Sequence, residues 1–325
     1  MSLSIELQPV PTQSGSSALA HMAFGASGHG AIFHRGLQPL GQDAAQEIWC
    51  TSAPKVGGSD GAIKWRAGED MLFGSASVSM SGDAAQITHD LYREVFQCLG
   101  KHDFPHLLRV WHFLPHINHG AGDGEHYKRF CLGRARAFDE QYDSPRLLPA
   151  GTAIGTRSGN QLQVYFLATR VPGRQLENPR QLSAFKYPRR YGPREPLFSR
   201  SVVWSDGNEA QLLISGTASI VGHESLHTGD LEGQLQETWR NVSCLRDRAG
   251  TTRPIALRVY VRRAEDYPTI RDFLNAHLPA DAAVLYLLAD ICRAELLMEI
   301  EGVFAILRGA EAGSERPGLP PGNAG

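Results

Sequence analysis

The sequence has little net charge, few cysteines and no long apolar run, and each shortage removes a class of function. In 325 residues, 32 Lys and Arg stand against 34 Asp and Glu, a formal net charge of −2. That balance sets up no global field to hold a nucleic acid or an anionic membrane surface. The five cysteines (Cys50, Cys98, Cys131, Cys244 and Cys292) are odd in number and have no paired spacing. They fit thiols kept reduced better than a disulfide framework. No stretch approaches the ~20 apolar residues that span a bilayer. Met1 to Gln13 also lacks a basic region followed by an apolar one. A soluble, cytoplasmic protein with no membrane or nucleic-acid partner is expected, long enough for two domains of ordinary size.

Two apparent ligand motifs dissolve on inspection. Gly25, Gly28 and Gly30 have no Lys-Ser/Thr after them and no strong strand before them, so a turn is expected and not a phosphate loop. His112, His116, His119 and His126 are interrupted by Pro115 and Gly120, so no single helix presents them on one face, and no Cys or Glu completes a tetrahedral set. No metal site is expected. Between Asp83 and His102, Ala84, Ile87, Leu91, Val95 and Leu99 recur at helical spacing, with Gly100 as a stop. Leu147 to Thr169 reads as strand, turn at Ser158-Gly-Asn160, strand.

Near its end the chain runs Tyr286-Leu-Leu-Ala-Asp-Ile-Cys292-Arg-Ala-Glu-Leu-Leu-Met-Glu299-Ile-Glu301-Gly302. Leu287, Leu288, Ile291, Ala294 and Met298 fit a helix with an acidic face, which the composition favours. Met298 to Glu301 also alternates apolar and acidic residues, which on a strand puts both carboxylates on one face. Upstream stand Leu213-Ile-Ser-Gly216, Gly222-His223, Gly229-Asp230, Gln234, Glu237-Thr238 and Asn241. With the closing Glu299-Ile-Glu301 this set resembles the RidA/YjgF superfamily over about the last third of the chain. The resemblance implies strand, turn at Arg293-Ala294-Glu295, strand. It also implies strands at about Ser201–Trp204, Ala210–Ser215 and Ile255–Arg262, and helices at about Asp230–Ala249 and Asp266–Leu278.

Glu177 to Arg200 packs five arginines and a lysine among Tyr187, Tyr191 and Phe198, with prolines holding an extended path. Such a stretch is either a solvated basic loop or an anion pocket, since guanidinium forks bind carboxylates bidentately. Together with Tyr127-Lys-Arg-Phe-Cys-Leu-Gly133-Arg134-Ala-Arg136-Ala-Phe138 and the closing hairpin, it resembles the chorismatase family over nearly the whole chain. The implied fold is α+β, with two RidA/YjgF-like (chorismate mutase-like) sheet-and-helix domains and a cleft between or beside them. The expected domains are 1–200, including the basic loop at about 177–200, then 201–308, then a Gly- and Pro-rich disordered tail at 309–325.

The family removes pyruvate from chorismate, a dianion, without metal or organic cofactor. Cleaving the enol ether needs a proton delivered to its methylene carbon, a task for a carboxylic acid kept neutral by burial. The resemblance places Glu299 there, with Glu301 ranked second. Cys292 matches the cysteine of the aromatising subgroup, where the hydrolytic subgroup has alanine, so a hydroxybenzoate (3-, perhaps with 4-) is the expected product and a dihydroxycyclohexadiene carboxylate the alternative. Tyr187, Tyr191, Arg194, Arg200, Arg258 and Arg262 are expected to hold the substrate charge, and Gly216 to let it approach the backbone. Two rivals are an imine deaminase and a metabolite-binding module. Deaminases of the RidA kind carry an arginine shortly before the closing hairpin, a place that falls near Val284 in an apolar run here. The duplicated unit is expected to act as a monomer, or at most a weak homo-oligomer.

Overall fold

The computed structural model describes residues 4–8, 18–25, 32–34, 37–42, 44–51, 56–142, 147–207 and 209–307. The expected turn through Gly28 and Gly30 and the expected tail at 309–325 lie outside the described residues.

Two seven-stranded sheets arise from one chain order used twice: three strands, helix, strand, helix, two strands. The first half runs Val56–Asp60, Ile63–Ala67, Met71–Ser79, α1 (Ala84–Lys101), His106–Pro115, α2 (His126–Gln141), Ala150–Thr156 and Gln161–Thr169. The second runs Arg174–Leu176, Ser201–Ser205, Ala210–Thr217, α3 (Leu231–Ala249), Thr252–Val261, α4 (Tyr267–His277), Ala283–Leu288 and Met298–Ile306. In each half the last strand inserts antiparallel between the third strand and the strand after the first helix. The two strands that follow the helices pair in parallel, as helical crossovers allow. This is the duplicated α+β unit expected from the sequence.

Local chemistry accounts for the helices. Asp83 caps α1 by accepting from the Ala85 N–H at 3.0 Å, and Asp230 caps α3 by accepting from Gly233 at 3.1 Å. The apolar stripe of α1 (Leu91, Tyr92, Val95, Leu99) is buried against the first sheet and α2. A Cβ on Gly133 of α2 would collide with the Ala85 carbonyl, so glycine there lets α1 and α2 approach closely.

Three cores divide the molecule. One lies between the first sheet and α1 and α2, and another between the second sheet and α3 and α4. The third joins the facing sides of the two sheets through Phe73, Trp111, Tyr165, Leu213, Tyr260 and Leu287. A four-stranded sheet of Ser4–Gln8, Ala18–Gly25, Ile32–His34 and Ala44–Cys50 packs on this middle core with Leu19, Met22, Phe24 and Trp49. Burying each such side chain stabilises the fold by roughly 1.5–3 kcal/mol before entropy is counted.

Each sheet takes its seventh strand from outside its own half. Gln38–Pro39 pairs with Ala283–Leu288, and Asp290–Ile291 pairs with Ala150–Thr156 of the other half. The halves also meet earlier in the chain than the 200/201 boundary anticipates. Arg174–Leu176 pairs with Ser201–Ser205, so the basic stretch is a loop inside the second half.

Candidate active site

Between Ile291 and Met298 the chain leaves the first sheet and enters the second, and this crossing is held from three sides. Arg262, at the end of strand Thr252–Val261, donates to the carbonyls of Ile291 (2.9 Å), Arg293 (2.9 Å) and Leu296 (2.7 Å). Gln234, buried on α3, donates to Glu295 O at 2.9 Å and accepts from the Leu297 N–H at 2.8 Å. Asn118 donates to the carbonyls of Ile291 and Cys292 at 3.1 and 3.2 Å. Gln234 is thus the clamp of α3 on the hairpin, while Asn241 further along the same helix donates to the carbonyls of Ala218 and Ile220 at 3.1 and 2.9 Å.

Beside this crossing lies a cavity of about 270 Å³ lined by both halves. From the first half come Asn118, Glu125, Tyr127 and Lys128, and from the second Tyr187, Arg190, Tyr191, Arg200, Gly216, Arg293 and Glu299. A smaller chamber of about 40 Å³ continues inward past Cys292, Glu299 and Tyr127 to Arg134 and Thr152. Alternation along Met298–Ile306 sends Met298 and Ile300 to the helix-side core and turns Glu299 and Glu301 toward the first sheet.

The two carboxylates meet different surroundings. Glu301 accepts from Trp111 Nε1 (3.0 Å), Tyr260 OH (2.9 Å), Arg258, Arg109 and Thr152. Among the described residues no side chain donates to Glu299, which is 4 % exposed and faces both cavities. Burial, then the charge of Glu301, pushes the Glu299 carboxyl up to about 8, against the pull of Arg109, Arg200 and Arg262. A Cβ on Gly216 would overlap Glu299 Oε1, so glycine there makes room for the acid. Cys292 stands next to Glu299 on both cavity walls, and burial followed by the Glu299 charge keeps its sulfur a thiol.

Cations ring the mouth. Arg200 donates to Tyr187 OH at 2.7 Å, and Arg293 lies over the rings of Tyr187 (5.3 Å) and Tyr191 (4.2 Å). Arg200 Nε and Arg293 Nη2 are buried without a partner among the described residues.

Of the residues singled out from sequence, Glu299, Cys292, Tyr187, Tyr191, Arg200 and Gly216 line the one cavity. Three arginines do not. Arg194 turns outward to Asp139 at 2.6 Å. Arg258 is buried on the far side with Glu47 and Glu301, and Arg262 is spent on hairpin carbonyls. Alternation along Thr252–Val261 puts Arg258 and Tyr260 on one face, and that face meets Glu301 and not the cavity. Gly216 meets the acid first. Sequence reasoning missed Arg293, Lys128, Asn118 and Thr152. Arg293 had been read as a turn residue, although a cation directly after Cys292 was a usable signal. His112 is a buried neutral ring between Thr152 O (2.8 Å) and Tyr92 OH, well below the usual imidazole range because of burial.

Residues 47–168 match the family model described as Chorismatase FkbO/Hyg5-like, N-terminal. The chain is 39% identical over 274 residues to a chorismatase of Streptomyces rapamycinicus, covering 80% of this chain and 82% of that one. It is 36% identical over 277 residues to a 3-hydroxybenzoate synthase of Streptomyces hygroscopicus, covering 79% and 80%. A crystal structure of a chorismatase superposes with a TM-score of 0.83 at 33% identity, covering 93% of this chain and 98% of the other. The chain belongs to the chorismatase family.

Proposed function

We propose that this protein cleaves the enol ether of chorismate, releasing pyruvate and a hydroxybenzoate, with Glu299 as the general acid. The observation that carries the reading is a buried, unbonded carboxyl that holds its proton at neutral pH, at the base of a cation-lined cavity. Lys128, Arg190, Arg200 and Arg293 bring four formal positive charges to that wall. Glu125 and Glu295 bring two negative ones and Arg190 is also paired with Glu224 at 2.8 Å, so with Glu299 neutral the wall keeps a net positive charge, suited to a dicarboxylate.

Glu299 gives its proton to the methylene carbon, which becomes a methyl group, and the adjacent ether carbon becomes an oxocarbenium ion. Water adds to that carbon and returns a proton to Glu299. The hemiketal so formed collapses, its C–O bond to the ring breaking as the hydroxyl proton passes to the ring oxygen, to yield pyruvate and a dienediol. Loss of one water from the ring then aromatises it, so the water taken up is returned. Alternatively, a ring hydroxyl intervenes directly. In both routes chorismate goes to pyruvate plus hydroxybenzoate with no redox step, so the chemistry calls for no metal or organic cofactor. Cys292 abuts the acid where the ring must lie, and we assign it to steering the intermediate toward the aromatic product. The name of one relative favours the 3-isomer.

The described lining of the cavity draws on both halves of one chain, which supports the monomer as the working unit. A specific activity independent of protein concentration is expected. Titration of chorismate into Glu299→Gln should show binding near the wild-type affinity with turnover reduced by at least about a hundredfold. Wild-type-like turnover in that variant contradicts the assignment of the acid.

A further inference from the structure

Behind Glu299, on the side away from the cavity mouth, four charged side chains are sealed in the middle layer: Arg109, Arg258, Glu47 and Glu301, each no more than 3 % exposed. They come from the first sheet, the second sheet and the four-stranded sheet. Arg258 grips Glu47 with Nε and Nη2 at 2.7 and 2.6 Å, and reaches Glu301 at 3.4 Å. Arg109 pairs with Glu301. In charge the set balances, two positive against two negative, although Arg109 Nη1 has no hydrogen-bond partner among the described residues and Arg109 still pulls on Glu299.

Thr152 ties this set to the acid. Its hydroxyl accepts from Arg109 Nη2 (2.6 Å) and from the Gly216 N–H (2.9 Å), and donates to Glu301. That fills the one donor and two acceptor places of a hydroxyl, leaving none for Glu299. Gly216, held this way, is the residue against which the Glu299 carboxyl rests.

We propose that Glu301 and, through Arg258, Glu47 are positioning residues that keep the proton on Glu299 by neutralising the two buried arginines that would otherwise draw it off. The proposal rests on Glu299 being the acid of the reaction proposed above. Unpaired, Arg109 or Arg258 would stabilise an ionised Glu299 strongly, because a buried charge without a partner is costly. Other groups near Glu299 are Arg262, Arg200, Cys292 and Tyr127. The inner chamber it shares also holds Arg134, which donates to Tyr92 OH at 2.8 Å and to the Leu197 carbonyl, with His112 and Cys131. Arg262 is paired with Asp290 at 3.2 Å, Arg200 opens on the substrate cavity, and Cys292, Tyr127, Cys131 and His112 are neutral.

Two readouts on the full-length protein test it. The ionisation of Glu299 is followed by infrared difference spectroscopy, its carbonyl band assigned by loss in Glu299→Gln. The pH profile of kcat/KM for chorismate cleavage is measured in parallel. In Glu47→Gln both midpoints should move down by about one pH unit or more. In the double variant Glu47→Gln with Arg258→Gln, which removes one charge of each sign, both should return to the wild-type value. A purely structural role would lower stability without moving the midpoints. Unmoved midpoints in folded Glu47→Gln overturn the proposal, as does a double variant whose midpoint differs from wild type. The second arm stands alone if the single variant does not fold. Wild-type turnover in Glu299→Gln would instead remove the acid reading, while the infrared midpoint would still report on the network.

Discussion

Glu299 keeps its proton because it has lost water and gained no donor in return, and this has consequences for both stability and rate. Its folded value of about 8 lies above the ordinary 4.5, so the folded state binds a proton that the unfolded chain has released between those limits. The fold therefore pays nothing for this group below about 4.5 and loses stability as pH rises through 8. Glu299→Gln removes that penalty, and denaturant melts should show the variant more stable by roughly 3–5 kcal/mol at pH 9, with the gap closing near pH 4. Equal stability at both pH values would contradict the burial argument. With Glu299 as the proposed general acid the rate has the same sign: kcat/KM should be flat at low pH and fall through about 8. Gly216→Ala introduces a methyl where Glu299 Oε1 sits. The variant should fold and lose about a hundredfold in kcat, since displacement of a catalytic group by ~1 Å costs that much. The pair of closing carboxylates was legible in the sequence through the alternation of Met298 to Glu301, and the family resemblance put Glu299 first of the two. Their partners were not legible, because arginines on one strand face look alike until the opposing carboxylates, Glu47 and Glu301, are brought in from other strands.

The crossing hairpin is the element on which the site depends. It belongs to neither sheet, and Arg262, Gln234 and Asn118 hold its carbonyls in place of a strand partner. Arg262→Ala should cost more activity than stability, and Arg262→Lys should not rescue it, because an ammonium cannot reproduce a planar fork spread over three carbonyls. Steady-state kinetics beside thermal melts check this, and full rescue by lysine would show that charge alone suffices. Cys292→Ala should keep pyruvate release and shift product from hydroxybenzoate toward the non-aromatic diol. An unchanged product ratio on chromatography would remove Cys292 from the partition. Periodicity misled for this element: residues 286–298 have helical spacing, yet Asp290–Ile291 and Met298–Ile306 are strands because both sheets need an edge and a centre filled there. Resemblance resolved it where propensity pointed the other way. The helices Ala84–Lys101 and Leu231–Ala249 were read within a residue or two, since caps and apolar stripes are local signals.

At the scale of the molecule, two copies of one topology face each other and share a middle core, with the substrate cavity at its margin. Neither half covers that core alone. Residues 1–172, produced without the remainder, would expose Phe73, Trp111 and Tyr165, and the fragment is expected to aggregate; a monodisperse, cooperatively melting fragment would show the halves to be independent. The duplication could be anticipated from the motifs of the second half and the length of the chain. The exchanged strands Gln38–Pro39 and Asp290–Ile291 could not, because two-residue pairings have no periodicity to read. The four-stranded sheet was hidden for another reason: Ala18–Gly25 is buried along nearly its whole length and so shows no alternation, and only packing on the middle core makes its buried face evident. All of these features converge on one chemical claim, and incubation of the purified protein with chorismate tests it most directly. Pyruvate should appear in equal amount with hydroxybenzoate, mainly the 3-isomer, and both should vanish in Glu299→Gln; chorismate recovered intact would contradict the account.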